Sequence, residues 1–311
     1  MRTTTSEGTC MRKRRKWLFA VAALVLAAGA AKIGMDYNHM ASGNAVVLDG
    51  HQIQDSFPEE TAMGNSDMQR YITEGTEEYR GFVIDNVFHS ITEGEIHYNV
   101  YIPESYDGSR PYALYFTLPG YEGLYFQGVA ANLQSEDFGF EAQKYNSEMI
   151  IVAPQLSDWR ETSADQTIAL LEYFLEQYNI DPSKVYGNGY SGGGETMSIV
   201  IGKHPELFTA YLQVSSQWDG AYEPVAEARL PVYFAIGRND EYYGSEPTQE
   251  AYDALHALYI QQGLSEEEIA ELLVLDIKEH AYFTERNAPN EHGGGGFFAY
   301  DEEIIGWLFS R

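Results

Sequence analysis

Apolar residues in the region from Tyr79 to Arg311 occur as short compact runs separated by longer amphipathic stretches. The first two runs, residues 80–90 and 95–103, alternate apolar and polar positions on either side of a Glu-Gly turn, a pattern typical of an antiparallel β-hairpin. The later runs are almost wholly apolar, as expected of strands buried in a parallel sheet. In chain order these later runs read YALYFTL, MIIVAP, KVYGNG, YLQVS, PVYFAI and LLVLDI.

Helical periodicity is clearest in residues 163–178, SADQTIALLEYFLEQY, where Ser163 and Gln166 have the spacing of a capping box. The apolar residues on its predicted buried face are Ile168, Leu171, Leu175 and Tyr178. An antiparallel entry followed by β-α repeats predicts the α/β class. We expect a doubly wound, mostly parallel sheet of about eight strands with helices on both faces.

Residues 1–31 have a different pattern. A basic cluster, Arg12 to Lys16, precedes an apolar stretch from Trp17 to Ala31, as in a secretory signal peptide. Ala28 and Ala30 have the spacing of a cleavage site, and an uncleaved membrane anchor or a buried core helix is the alternative. The only cysteine precedes the apolar stretch, so cleavage would leave a protein without disulfide or thiol chemistry. We expect an exported protein, secreted or held at the cell surface, that contacts a membrane only through this segment if it stays uncleaved.

Residues 32–78 are polar, acidic and weakly periodic, which predicts a linker with a docking segment before a catalytic domain at 79–311. The formal net charge of the chain is −28. A balance this acidic excludes nucleic acid as a partner and repels polyanionic substrates, and it otherwise corresponds to a solvated acidic surface. No metal-binding or nucleotide-binding motif is present in the sequence, so we predict neither a metal nor a cofactor.

One serine is surrounded by glycines in residues 185–198, VYGNGYSGGGETMS. Ser191 lies in a G-x-S-x-G pattern between the predicted strand KVYGNG and the predicted helix ETMSIVIGK. In this setting the pattern forms a sharp turn that presents the serine hydroxyl above the edge of the sheet. The pattern by itself is weak evidence, and a tight glycine turn with an idle serine is the alternative. Strand-turn-helix placement favours Ser191 as a nucleophile.

A nucleophilic serine of this architecture needs a histidine base that follows both the serine and the acid along the chain. Three histidines follow the predicted helix ETMSIVIGK: His256, His280 and His292. His256 lies within an amphipathic stretch, which favours a structural role. His292 lies in a glycine-rich loop that leads to an apolar final helix, a position from which an imidazole can reach the sheet edge. His292 is the favoured base and His280, in IKEHAYF, is the alternative.

The acid is expected after the penultimate strand, where PVYFAIGRNDEYYG offers Asp240. Glu241 beside it and Asp219 in SSQWDG are the competing carboxylates. Ser191 would then attack an ester or amide carbonyl while His292 accepts its proton and Asp240 orients the imidazole.

The oxyanion formed in this attack requires backbone N–H donors. Gly192, which follows the nucleophile, is expected to supply one donor. The turn LPGYEG is expected to supply the other from Tyr121 or from its neighbour Gly120, unless it is a plain Pro-Gly turn. Aromatic residues in the loops suit sugar faces or phenolic groups, although ordinary loop packing explains many of them. The predicted substrate-binding residues are Trp218, Tyr190, Trp159 and Tyr242.

From about Tyr79 to Arg311 the chain resembles α/β-hydrolases of the secreted esterase and prolyl-oligopeptidase-like kind. It is similar to feruloyl esterases, acetylxylan esterases and polyhydroxyalkanoate-depolymerase-like esterases. Four segments carry the resemblance: NVYIPESYDGSRPYALYFTLPG, IDPSKVYGNGYSGGG, AIGRNDEYYG and HGGGGFFAYDEEIIGWLF. These families often have His-Gly at the oxyanion turn, where this chain has Pro119-Gly120.

The resemblance implies an exported serine hydrolase that cleaves small or polymer-borne carboxylic esters through an acyl-enzyme. A prolyl-oligopeptidase-like peptidase and a non-catalytic binding protein that has kept the fold are the alternatives. The region before Tyr79 is too short for the propeller of the larger peptidases, and the presence of all three triad residue types in order disfavours a purely binding role.

Overall fold

The computed structural model describes residues 70–311, which contain a mixed sheet of ten strands. This is somewhat more than the predicted eight, because two short strands precede the predicted hairpin. The strands are β1 (Tyr71–Thr73), β2 (Glu77–Tyr79), β3 (Phe82–Ser90), β4 (Gly94–Tyr101), β5 (Tyr112–Leu118), β6 (Met149–Pro154), β7 (Ile180–Tyr190), β8 (Ala210–Val214), β9 (Val232–Gly237) and β10 (Leu273–Lys278).

The helices follow the strands in the order expected of β-α repeats. They are α1 (Ala131–Ser135), α2 (Phe138–Ala142), α3 (Glu161–Gln177), α4 (Gly192–Lys203), α5 (Glu223–Ala228), α6 (Glu246–Gln261), α7 (Glu266–Leu272), α8 (His280–Glu285) and α9 (Glu302–Phe309). Short 3-10 helices cover Tyr121–Gly123, Tyr125–Gln127, Pro205–Leu207 and Gly293–Tyr300. Within residues 70–311, no helix has the length and apolar character needed to cross a membrane.

The strand order is β1-β3-β4-β6-β5-β7-β8-β9-β10, with β2 also paired to β3. Pairs among β1 to β4, and the pair β4–β6, are antiparallel, whereas all pairs from β6 through β5 to β10 are parallel. The predicted doubly wound, mostly parallel sheet is therefore confirmed. From β5 the chain crosses first to β6 on one side and later to β7 on the other, and ligands bind at such a reversal, outside the carboxyl ends of the strands.

Strand β5 illustrates how the sheet separates two cores. Its alternating side chains place Leu114 and Phe116 in one buried cluster and Ala113 and Tyr115 in the other. Helices α3 and α4 pack in the first cluster and α9 packs in the second. The compact apolar runs of the sequence reflect this burial on both faces.

Two local expectations differ from the structure. Helix α3 begins at Glu161, so Ser163 lies inside it and donates to the Asp158 carbonyl over 3.1 Å, and the predicted capping box with Gln166 is wrong. Strand β1 and the first two residues of β2 also lie within the segment 32–78 that was predicted to be a linker with a docking segment, so the sheet begins before Tyr79. Residues 32–69 of that segment and the predicted signal peptide at 1–31 lie outside the described residues.

Candidate active site

Ser191 occupies the turn between β7 and α4, as the sequence pattern predicted. Its backbone has φ 54° and ψ −126°, a strained conformation for a residue with a side chain. The turn is tightly packed: a Cβ at Gly189 would lie 2.4 Å from the Gly193 carbonyl oxygen, and one at Gly193 would lie 2.4 Å from the Leu118 carbonyl oxygen. Glycine is therefore required at both positions, which explains why glycines surround this serine.

Three of the predicted side chains form one hydrogen-bonded chain. Ser191 Oγ lies 3.0 Å from His292 Nε2, and His292 Nδ1 lies 2.9 Å from Asp240 Oδ2. The Asp240 side chain is fully buried and that of His292 is 21% exposed. The serine, the histidine and the carboxylate are thus in contact at the carboxyl edge of the parallel strands.

The other two candidate histidines, His256 and His280, lie away from Ser191. His256 is on α6, where its Nε2 contacts Glu266. His280 begins α8 and contacts Glu291 through Nδ1, at 2.9 Å, with a side chain that is 71% exposed. Neither histidine contacts Ser191 or Asp240.

The competing carboxylates also have other partners. Glu241 accepts a hydrogen bond from the backbone N–H of His292 over 3.0 Å, and Asp219 accepts one from the Gln217 side chain. Asp240 Oδ1 accepts hydrogen bonds from the backbone N–H groups of Tyr242 and Tyr243, at 3.0 and 2.9 Å. These bonds fix the carboxylate in the orientation that meets the imidazole.

Two glutamates tie the loop of the acid to the loop of the base. Glu291, which precedes His292, is 2% exposed and accepts from the backbone N–H of Asn239, which precedes Asp240, over 2.7 Å. Glu241, which follows Asp240, accepts from the N–H of His292 in return. We call this reciprocal pair, Glu291 to Asn239 and Glu241 to His292, the loop clasp. Sequence reasoning missed Glu291, whose only local signal is its position beside the histidine.

The four glycines after His292 form the start of the 3-10 helix Gly293–Tyr300. Tyr190 Oη donates to the His292 carbonyl over 2.7 Å, and a Cβ at Gly295 would lie 2.4 Å from Ser215 Oγ and 2.6 Å from the Tyr190 ring. The loop that carries the base is therefore ordered by packing against the end of β7 and the residue after β8.

The predicted oxyanion donors differ in their hydrogen bonding. Gly192 is the first residue of α4, and Tyr121 is the first residue of a 3-10 helix, where N–H groups have no intrahelical partner. The N–H of Gly120, in contrast, donates to Glu136 Oε1 over 2.6 Å. Gly120 is therefore not a free donor, and Tyr121 and Gly192 are the two candidates that the geometry leaves.

A cleft of about 800 Å³ opens beside Ser191. Three of the four predicted substrate-binding residues line it: Trp159, Tyr190 and Tyr242. Tyr242 is 74% exposed at the rim, whereas Tyr190 is 7% exposed and mainly supports the histidine loop. Trp159 packs so closely on the elbow that a Cβ at Gly192 would lie 2.4 Å from its ring.

Trp218 does not line the cleft, contrary to the prediction. It is 8% exposed, donates to the Gly220 carbonyl over 2.9 Å, and packs against Tyr222 and Phe234. Its neighbours Gln217 and Asp219 do line the cleft. The loop after β8 thus directs alternate side chains into the cleft and into the core.

Comparison with known proteins relates this chain to hydrolases. The model of the prolyl oligopeptidase family matches residues 156–267. A probable feruloyl esterase C from Aspergillus niger is 28% identical over 150 residues, or 45% of this chain and 54% of that protein, so the match spans about half of the curated relative.

Two solved structures share the arrangement of the sheet. A thermostable esterase superposes with a TM-score of 0.60 at 20% identity, over 74% of this chain and 63% of that chain. Oligopeptidase B from Leishmania major superposes with a TM-score of 0.50 at 12% identity, over 74% of this chain and 37% of that chain. The chain has the α/β-hydrolase fold. The resemblance inferred from its sequence is confirmed at this level.

The cleft beside Ser191 is acidic. Glu122, Glu136, Glu195 and Asp219 line it together with one cation, Arg160. Burial raises the pKa of Glu195, although the hydrogen bond from Tyr243 Oη, 2.6 Å long, lowers it in part. Burial also raises the pKa of Glu136 well above its usual range. Within residues 70–311, no cluster of three or more His, Cys, Asp or Glu side chains could hold a metal ion.

Proposed function

We propose that this protein is a serine hydrolase that cleaves carboxylic esters through an acyl-enzyme intermediate. The observation that carries the proposal is the continuous hydrogen-bonded chain from Ser191 through His292 to Asp240 at the side of an open cleft. A hydroxyl, an imidazole and a buried carboxylate in this order provide a nucleophile, a base and a group that orients the base.

In the acylation step His292 Nε2 accepts the Ser191 proton while Oγ attacks the ester carbonyl. The tetrahedral intermediate collapses with loss of the alcohol, which takes its proton from the imidazolium. In deacylation His292 accepts a proton from water, which attacks the acyl-enzyme carbonyl. Collapse of the second tetrahedral intermediate releases the acid and restores Ser191. The Asp240 carboxylate keeps the proton of neutral His292 on Nδ1 and stabilises the imidazolium of each intermediate. The N–H groups of Tyr121 and Gly192 would stabilise the oxyanion.

The residues that line the cleft favour binding of a neutral substrate with a flat or aromatic part. Tyr121 and Trp159 lie with ring centroids 6.4 Å apart, and the Tyr242 ring lies beside His292 with centroids 5.4 Å apart. Such rings suit sugar faces or phenolic acyl groups, and the acidic residues of the cleft disfavour anionic ones. The ester can therefore be a small molecule or part of a polymer.

A peptidase is the second candidate, because the matched family model is that of the prolyl oligopeptidases. The same serine, histidine and carboxylate can open an amide if His292 protonates the leaving amine. A panel of p-nitrophenyl esters and dipeptidyl anilides separates the two candidates by kcat/KM. We expect esters to be hydrolysed at least about tenfold faster than anilides with matched acyl groups.

Export from the cytoplasm is the part of the proposal that rests on the sequence alone. The basic cluster and the apolar stretch from Arg12 to Ala31 support it. Fractionation of cells that express the full-length chain is the test. Full-length protein recovered from the cytosolic fraction would contradict export without affecting the proposed chemistry.

Replacement of the nucleophile and the base tests the proposed reaction. Ser191→Ala should abolish both ester hydrolysis and labelling by a fluorophosphonate, because within residues 70–311 no other hydroxyl contacts the imidazole of His292. His292→Ala should lower kcat/KM by at least about 10³-fold, whereas His280→Ala should lower it by less than about tenfold. Residual labelling of Ser191→Ala above a few per cent, or a larger loss in the His280 variant, would rule out the assignment.

A further inference from the structure

A buried carboxyl at the wall of the cleft contacts the turn that follows β5. Glu136 is 9% exposed, and its Oε1 accepts the N–H of Gly120 over 2.6 Å. Among the ion pairs of residues 70–311 none involves Glu136, so no cation compensates it. Burying an uncompensated carboxyl costs stability. The fold retains it in contact with the turn beside the nucleophile, which points to a role there.

The backbone that carries Glu136 is fixed to the sheet. Glu136 follows α1, where Asn132 donates from Nδ2 to the carbonyl oxygens of Ala153 and Pro154, at 2.9 and 3.1 Å, and accepts from Asn99 Nδ2 over 2.7 Å. Asn132 thereby links α1 to β4 and to the end of β6. The carboxyl group therefore approaches the turn from a rigid base.

The turn itself lies between Glu136 and the nucleophile. A Cβ at Gly120 would lie 3.5 Å from Glu136 Oε1 and 3.4 Å from Ser191 Cβ. Pro119 has no N–H, and Gly120 is buried, so the Gly120 N–H would lack a partner without the carboxyl. The hydrogen bond to Gly120 N–H restricts the Pro119–Gly120 peptide plane, which directly precedes the Gly120–Tyr121 peptide that carries the Tyr121 N–H.

We propose that Glu136 is a positioning residue that holds the Pro119–Gly120–Tyr121 turn so that the Tyr121 N–H, and not the Gly120 N–H, stabilises the oxyanion. This inference rests on the proposed ester hydrolysis. The feature of Glu136 that matters is an acceptor oxygen at a fixed place. A negative charge is not needed and would oppose the oxyanion. Burial raises the pKa of Glu136 well above its usual range, which favours the neutral carboxyl.

Two substitutions at this position separate an acceptor from a charge. Glu136→Gln keeps an oxygen that can accept the Gly120 N–H, and Glu136→Leu removes it at similar volume. We expect Glu136→Leu to lower kcat at least about tenfold with KM within about threefold of wild type, and Glu136→Gln to retain kcat within about threefold. Glu141→Leu, on the neighbouring helix α2 where Lys144 pairs with it, is the matched control and should leave both constants unchanged.

A transition-state analogue provides the second readout and does not depend on turnover. A trifluoromethyl ketone forms a hemiketal oxyanion with a serine nucleophile, so its Ki should rise in Glu136→Leu by the same factor by which kcat/KM falls. If the leucine variant does not fold, Glu136→Gln, Glu136→Met and wild type complete the comparison.

Three results would overturn the inference. They are a leucine variant with wild-type kcat, a glutamine variant as impaired as the leucine variant, and an effect confined to KM, which would place Glu136 in substrate binding. In each case hydrolysis by wild type and its loss in Ser191→Ala would leave the proposed function intact. Absence of hydrolysis in wild type would refute the proposed function first.

Discussion

At the scale of single residues, the Asp240 carboxylate receives N–H groups from three residues: Tyr242, Tyr243 and His292. The hydrogen bonds from Tyr242 and Tyr243 hold the carboxylate in place. Through the hydrogen bond from His292 Nδ1, the negative charge of Asp240 stabilises the imidazolium. This division of roles predicts that the charge and the geometry of Asp240 can be separated by a substitution that preserves shape.

Asp240→Asn should lower kcat by about 10³- to 10⁴-fold, because an amide stabilises neither the working tautomer of His292 nor the imidazolium. Asp219→Asn should change kcat by less than about tenfold, since Asp219 contacts Gln217 and not His292. Steady-state kinetics on a p-nitrophenyl ester, with circular dichroism to verify folding, is the measurement. A large loss at Asp219 with none at Asp240 would show that the acid is misassigned.

At the scale of elements, the proposed triad depends on loops that follow three different strands. The turn after β7 is held by close glycine packing, whereas the loops of Asp240 and His292 are held by the loop clasp. The clasp joins residues directly before and after the triad members. It therefore helps to fix the distance between the acid and the base.

Glu291→Ala should reduce kcat by about 10- to 100-fold with a small change in KM, because the N–H of Asn239 loses its buried acceptor and Asp240 loses its register with His292. The free energy of unfolding should also fall by about 1–3 kcal/mol. His280→Ala, which removes only the exposed partner of Glu291, is the control for this network. Kinetics and urea unfolding measure both effects. Wild-type kcat in the Glu291 variant would show that the clasp does not position the triad.

At the scale of the whole molecule, the parallel strands gather these loops at one edge of the sheet, in a chain whose formal net charge is −28. The buried carboxyl of Glu136 links the site to global stability. Because its pKa is raised in the fold, the native state keeps a proton that the unfolded state releases above its own pKa, about 4.3.

The contribution of this carboxyl to the free energy of unfolding is therefore complete below about pH 4.3 and is lost as the pH rises through the native pKa. Glu136→Gln cannot ionise. The free energy of unfolding of Glu136→Gln minus that of wild type should therefore increase as the pH rises from about 4.3 to the native pKa of Glu136. Urea titrations at several pH values measure this difference. Glu227→Gln, exposed on α5, is the control. A difference for Glu136→Gln that does not depend on pH would contradict the expectation.

The sequence alone determined the features that depend on local pattern. Burial on both faces makes parallel strands uniformly apolar, so the order of strands and helices could be read directly. The sharp turn between strand and helix needs glycines at fixed spacing within a few residues, and this local pattern identified Ser191 as the candidate nucleophile. The expected order of serine, acid and histidine along the chain then led to Asp240 and His292 as candidates.

Contacts between distant residues were decided only by the tertiary structure. Gly120 was a candidate donor until Glu136, from a different loop, took its N–H. Trp218 was expected in the cleft, but the turn after β8 directs it into the core between Tyr222 and Phe234. Glu291 had no signal beyond its position beside His292, because its partner Asn239 is brought to it by the pairing of β9 with β10. Hydrogen bonds and packing of this kind depend on which loops the sheet brings together, and a linear pattern does not contain that information.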